Sequence, residues 1–170
     1  MMSSLITLSP SRMKETNSTV KKIFTFLSLN NAKEGYTFLY EGKPKVCEDC
    51  EYVKVCHENL TPHTAYTVAS VKEKQVSCQV FEGDARLVEV QPAEVEGAVE
   101  VHLAIPGALI RFNPQPCSRL HCEKFNLCVP NALVEGAACR VMELRERFVC
   151  PRTGVQLQVS LLSQRVEEEP

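Results

Sequence analysis

Short apolar stretches alternate with polar turns along this chain, and the alternation has the two-residue period of strands. Ile23 to Leu29 is one such stretch. A second opens at Gly35, with Phe38 and Tyr40 on one face and Leu39 on the other. Glu41 to Lys45, carrying Gly42 and Pro44, predicts a turn. Tyr66 to Val71 is rich in β formers, Lys72 to Lys74 reads as a polar turn, and Gln75 to Val80 as a returning strand. Glu82-Gly83-Asp84 predicts a further turn and Arg86 to Val90 a further strand. Val99, Val101, Leu103 and Ile105 then alternate with Glu100 and His102. Val155 to Leu161 alternates with Gln156, Gln158 and Ser160, giving the last strand. Ala132 to Arg147 is full of helix formers, so propensity alone would make part of it helical.

An internal repeat decides that ambiguity. Gly35 to Cys56 and Gly107 to Cys128 are both 22 residues long, at a constant offset of 72. Gly35 matches Gly107, Pro44 matches Pro116, Cys50-Glu51 matches Cys122-Glu123, Cys56 matches Cys128 and Asn59 matches Asn131. Apolar positions agree: Phe38 with Ile110, Tyr40 with Phe112, Val53 with Phe125, Val55 with Leu127. After a one-residue gap Leu60 pairs with Leu133 and Val68 with Val141, and the gap closes before Val76-Ser77-Cys78 meets Phe148-Val149-Cys150. Two copies of one unit share a fold, so Ala132 to Arg147 is expected as strand.

The expected architecture is mostly β (a β-rich α+β chain): two tandem similar small β units, each with a four-cysteine metal knuckle. The first unit spans 20–90 and the second 98–162, with 91–97 as a link. Residues 1–19 read as a disordered leader, with Met13 an alternative start, and 163–170 as an acidic tail. Aromatic residues are only 6% of the chain and tryptophan is absent, so each unit has a thin core. Units of roughly 60 residues bury little surface and are often stapled by a metal. The net charge of −2 gives nucleic-acid binding no electrostatic support. No apolar run is long enough for a membrane helix. Lys21-Lys22 before an apolar stretch mimics a signal peptide, but Thr25 and Ser28 interrupt it and no small-residue cleavage site follows. A cytoplasmic location is expected, where thiols stay reduced.

The cysteines carry the candidate chemistry. Cys47, Cys50 and Cys56 cluster and are joined by Cys78; Cys117, Cys122 and Cys128 cluster and are joined by Cys150. The interval from third to fourth cysteine is 22 residues in both sets. In C-x2-C the chain turns tightly enough for two sulfurs to meet one centre, and a cysteine one helical turn later can return to it. A fourth from a distant hairpin closes the site. The first cysteine breaks register, since Cys47 aligns with Arg119 and Cys117 with Lys45; the spacing is C-x2-C in one set and C-x4-C in the other. Four thiolates suit zinc or an iron–sulfur cluster. Zinc ribbons pair two short knuckles, whereas three clustered ligands and one distant one resemble the runs of several [4Fe–4S] modules, such as the auxiliary-cluster domains of some radical enzymes and some nucleases. Two [4Fe–4S] clusters are therefore placed ahead of two zinc ions. Disulfides, or thiols that bind nothing, are the competing reading; two sets with equal closing intervals argue against it. Lys43, Lys45, Lys54, Arg119 and Lys124 would offset the negative charge of such centres. Cys139 aligns with Tyr66 and reads as a small buried strand residue. His57 and His121 adjoin cysteines but read as surface residues, and Glu51 and Glu123 as partners of the knuckle backbone.

The whole pattern resembles the uncharacterised archaeal protein family UPF0179, from about Val20 to Leu162. Its most specific parts are Cys47 to Cys56, Glu82-Gly83 with Arg86 to Val90, and Phe112 to Cys128 with Pro114. Cys139 and the long leader before Lys21 depart from the family pattern. The resemblance implies an archaeal cytoplasmic protein, with methanogens as frequent hosts, and no activity. No nucleophile, zinc-protease, phosphate-loop or dinucleotide motif appears, so a non-enzymatic role is favoured. The leading expectation is an iron–sulfur protein for electron transfer or redox sensing with a protein redox partner. The alternative is a zinc-stabilised module that binds a protein or, ranked below that, RNA.

Overall fold

The structure is a computed structural model that describes residues 21–164. Among these residues the chain forms eight strands in two four-stranded antiparallel sheets, with a few short helices. The first sheet is built from β1 (Ile23–Ser28), β2 (Thr37–Tyr40), β3 (Thr64–Cys78) and β4 (Gly83–Pro92), in the order β1-β4-β3-β2. Helix α1 (Val53–His57) lies between β2 and β3. The second sheet holds β5 (Glu94–Glu100), β6 (Leu109–Phe112), β7 (Ala137–Val149) and β8 (Gln156–Ser163), in the order β5-β8-β7-β6, with α2 (Phe125–Cys128) between β6 and β7. One path is thus traced twice, and the stretch Ala132 to Arg147 enters strand β7 as the repeat requires.

The repeat extends to single hydrogen bonds. Gly35 (φ 81°) and Gly107 (φ 83°) take the same left-handed turn, which a side chain would disfavour. Their N–H groups donate to the carbonyls of Val68 (2.9 Å) and Val141 (2.7 Å). His63 and Gly136 form a second such pair: each has positive φ, and each N–H donates to the last residue of the short strand, Tyr40 or Phe112.

Four expectations change. Lys72 to Lys74 is no turn, because both sides of it pair with the same strand: Val71 with Val88, Gln75 with Arg86. The chain never reverses; it bulges within β3. β7 bulges at the same place, between Leu144 and Arg147, with two residues out of register instead of three. The one-residue gap in the repeat closes at this bulge. Gln91 to Gly97, read as a link, is strand on both sides of the buried Ala93. The ladder of β5 stops at Glu100 because its partner β8 begins at Gln156, so Val101–Leu103 coils into a 3-10 turn instead of extending the strand. Ser163, assigned to the acidic tail, is the last residue of β8. Gln164 of that tail packs back on the first half, and the leader and residues 165–170 lie outside the described residues.

Each sheet has its own core. Leu27, Tyr66, Val68, Val88 and Val90 centre the first; Val99, Ile110, Phe112, Val141 and Leu162 centre the second. Fully burying one such side chain stabilises by about 1.5–3 kcal/mol. A smaller cluster of Ala98, Cys128 and Leu157 lies under α2. The halves are joined by Ala93, whose N–H donates to Ala65 (2.8 Å), and by Gln164, whose side chain accepts from the Ala65 N–H (2.8 Å) and donates to the His63 carbonyl (3.2 Å).

Candidate functional site

In the first half a 3-10 turn, Lys45–Cys47, delivers Cys47 to a buried position. The Cys50 N–H folds back on the Cys47 carbonyl (3.3 Å) and the Val53 N–H on the Cys50 carbonyl (3.1 Å). Helix α1 then carries Cys56, tied to β1 by the Thr25 hydroxyl, which donates to the Cys56 carbonyl (3.1 Å). Cys78 arrives at the end of β3. The second half repeats these turns at an offset of 72: Cys122 N–H to the Arg119 carbonyl and Phe125 N–H to the Cys122 carbonyl, both 3.0 Å. The backbone is kept while the thiol has moved. Arg119 holds the place of Cys47, and Cys117 comes from the irregular segment two residues earlier. That segment is fixed by the Gln115 N–H on the Cys128 carbonyl (3.0 Å) and by Arg152, which donates to the Pro116 carbonyl (2.5 Å).

All eight cysteines of the two sets are free thiols, as is Cys139. Cys117, Cys122, Cys128 and Cys150 together line one cavity of about 170 Å³, with Phe125, Phe148 and Leu157 as apolar wall and Arg119, Lys124 and Arg152 as cations. Cys47, Cys56 and Cys78 line a larger cavity of about 380 Å³. Cys50 is exposed and outside that lining. Among the described residues, no three Cys, His, Asp or Glu side chains stand in metal-binding geometry.

The thiols of each set share one electrostatic field. Burial pushes Cys47 up, and the charges of Cys78 and Cys50 push it further. Burial raises Cys56 to about 11, against a hydrogen bond from the Phe26 backbone, with Cys50, Cys78 and Cys47 adding to the rise. Cys128 is raised by burial and then by Cys117, Cys150 and Cys122. Cys150 is the exception, brought down to about 7 by hydrogen bonds from the Thr153 hydroxyl and the Thr153 and Arg152 backbone. Crowded thiolates repel one another, and a cation among them would relieve that repulsion.

Among the other residues singled out, His57 departs from its reading as a surface residue. His57 is half-buried, with its Nδ1 2.9 Å from the Tyr40 hydroxyl and its ring against the Tyr40 ring. Burial, then Lys43, lowers its pKa. His121, Glu51 and Glu123 are exposed. Cys139 is fully buried and register-paired with Ile110, as its match to Tyr66 implies.

Sequence reasoning missed the contact between knuckle and bulge. Lys74, in the bulge of β3, sits 4.9 Å above the Tyr52 ring at the start of α1. In the second half Lys124 bonds Glu146 at 2.5 Å. Tyr52 aligns with Lys124 and Lys74 with Glu146, both at offset 72. The same two positions touch through different chemistry, and a residue swap at both positions at once was the signal available.

Fold and site define a cysteine-rich, internally duplicated antiparallel β protein. The profile of the uncharacterised protein family UPF0179 matches residues 23–161, and the chain belongs to that family. It is 34% identical over 144 residues to the UPF0179 protein of Methanococcus maripaludis strain C6, covering 84% of this chain and 97% of that one. It is 30% identical over 128 residues to that of Methanocaldococcus jannaschii, covering 75% and 85%. The homologue from Methanosphaera stadtmanae is 30% identical over 142 residues, covering 83% and 99%. No solved structure gives a significant match. Among the described residues, no helix is long and apolar enough to cross a membrane.

Proposed function

We propose that the chain carries two iron–sulfur centres, on Cys47, Cys50, Cys56 and Cys78 and on Cys117, Cys122, Cys128 and Cys150, and works in cytoplasmic electron transfer or redox sensing. The observation that supports this most is the second cavity, where four cysteines from three separate segments face one space. Its 170 Å³ would hold several water molecules, more room than one bare ion needs. The group would supply a one-electron couple. The protein's own part is to hold four thiolates apart from bulk water and to offset their charge. Phe125, Phe148 and Leu157 give the lining its apolar part, while Arg119, Lys124 and Arg152 give it positive charge. A low-dielectric wall and nearby cations are what tune such a couple.

The test is anaerobic expression of the full chain, followed by a visible spectrum and assay of iron, sulfide and zinc. Broad brown absorbance with stoichiometric iron and sulfide is the expected result. Colourless protein with two zinc ions selects the alternative, a zinc-stabilised interaction module. Colourless, metal-free protein that is still folded rejects both.

A further inference from the structure

The two cysteine cavities have diverged, and the first is more than twice the size of the second: about 380 Å³ against 170 Å³. The second shows how much space a thiol set of this fold encloses when the walls close on it. The first has additional room, and that room has a different lining. Tyr36, Phe38, Tyr40 and Phe81 contribute aromatic rings, and His57 lies beside Tyr40. The Tyr36 and Phe38 rings are stacked at 15°, and Tyr40 and His57 are joined by their 2.9 Å hydrogen bond. The equivalents of Tyr40 and His57 in the second half are Phe112 and Val129, so no such polar pair recurs there. A mostly apolar cavity of this size with a few convergent polar groups is what small-molecule sites look like. Flat rings along the wall favour a flat ligand.

We propose that the first cavity binds a small aromatic molecule bearing one hydroxyl, its ring among Tyr36, Phe38 and Phe81 and its hydroxyl on the Tyr40–His57 pair. The site goes beyond the electron-transfer reading: it shares its cavity with Cys47, Cys56 and Cys78, but the groups that would hold the ligand are other side chains of the lining. Val80 lines it and is 41% exposed, so a larger side chain there takes up cavity space without disturbing a core.

Phenol is the probe, with cyclohexanol as a non-aromatic control of similar size, added to the full-length anaerobic protein and read by ligand-observed NMR. Phenol is expected to bind and cyclohexanol to bind clearly more weakly. Tyr40→Phe, which keeps the ring and removes the hydroxyl, should weaken phenol by about fivefold, the effect of one hydrogen bond. Val80→Trp should abolish binding, and Ile105→Ala, at an exposed position outside both cysteine cavities, should leave it unchanged. No phenol binding at millimolar concentration, equal binding of cyclohexanol, or full binding by Val80→Trp overturns the proposal. Iron and sulfide are assayed on the same sample. Phenol binding without iron therefore rejects the cluster alone, and iron without phenol binding rejects this site alone.

Discussion

Gly97 has the ring of Phe112 on one side and Leu162 on the other. A Cβ added there would meet the Phe112 ring at 3.0 Å and Leu162 at 3.1 Å. Both neighbours are wholly buried, so neither can swing away. Gly97→Ala is expected to destabilise the fold by about 1–3 kcal/mol through overpacking, read by chemical denaturation; an unchanged midpoint would show that the second core yields. Cys139 lies in the same core, and burial pushes its thiol from 9.0 up to about 11. Below pH 9 it is protonated in both folded and unfolded chains, and its contribution is intact. As pH rises toward 11 the unfolded chain loses its proton first, so stability falls, on the order of 2 kcal/mol. Cys139→Val keeps the position apolar and removes the proton. Its alkaline loss of stability should be shallower than that of the unsubstituted chain, and parallel curves would reject the assignment.

At the scale of elements, β3 and β7 are the parts that decide the site, because each long strand has a bulge and leads into a closing cysteine, Cys78 as the last residue of β3 and Cys150 just after β7. Most of this was legible in the sequence. The period-two pattern marked the strands, and the offset of 72 overruled the helix propensity of Ala132 to Arg147. Lys72 to Lys74 was not legible, since a polar triplet looks alike as a turn or a bulge. Only the partner strand, pairing with Val71 and Gln75 in succession, tells them apart. In β7 the bulge is held by Gln158, whose amide donates to the carbonyls of Arg145 (2.9 Å) and Glu146 (3.2 Å). The end of β5 was hidden for the same reason, being set by where its partner β8 begins. The bulge also clasps the knuckle, by Lys74 over Tyr52 in one half and by Lys124 on Glu146 in the other. If position and not chemistry is what matters, the first pair should work in the second half. Lys124→Tyr alone should lower the melting temperature, and adding Glu146→Lys should recover most of the loss. A double variant no better than the single would mean that the two contacts are unrelated.

Across the whole molecule, duplication sets up a comparison that one site could not provide. Both halves keep the same backbone turns, the same closing cysteine at the end of the long hairpin strand and the same helix carrying the third. They differ in the first cysteine, in cavity size and in surrounding charge. The exposed Cys50 belongs to the first half; the second half surrounds its four thiols with three cations. The sites lie on separate sheets with separate cores, joined through Ala93 and Gln164. Each closing thiol comes from its own hairpin, so on the iron–sulfur proposal the two centres are lost independently. Cys78→Ala should remove about half of the iron and sulfide, and Cys150→Ala the other half, with the remaining absorbance differing between the variants because the surroundings differ. The double variant should be colourless. Both single variants keeping full iron would reject the four-cysteine sets. Either single variant losing all of it would show that the centres form one cooperative assembly, for which the separate cores give no reason.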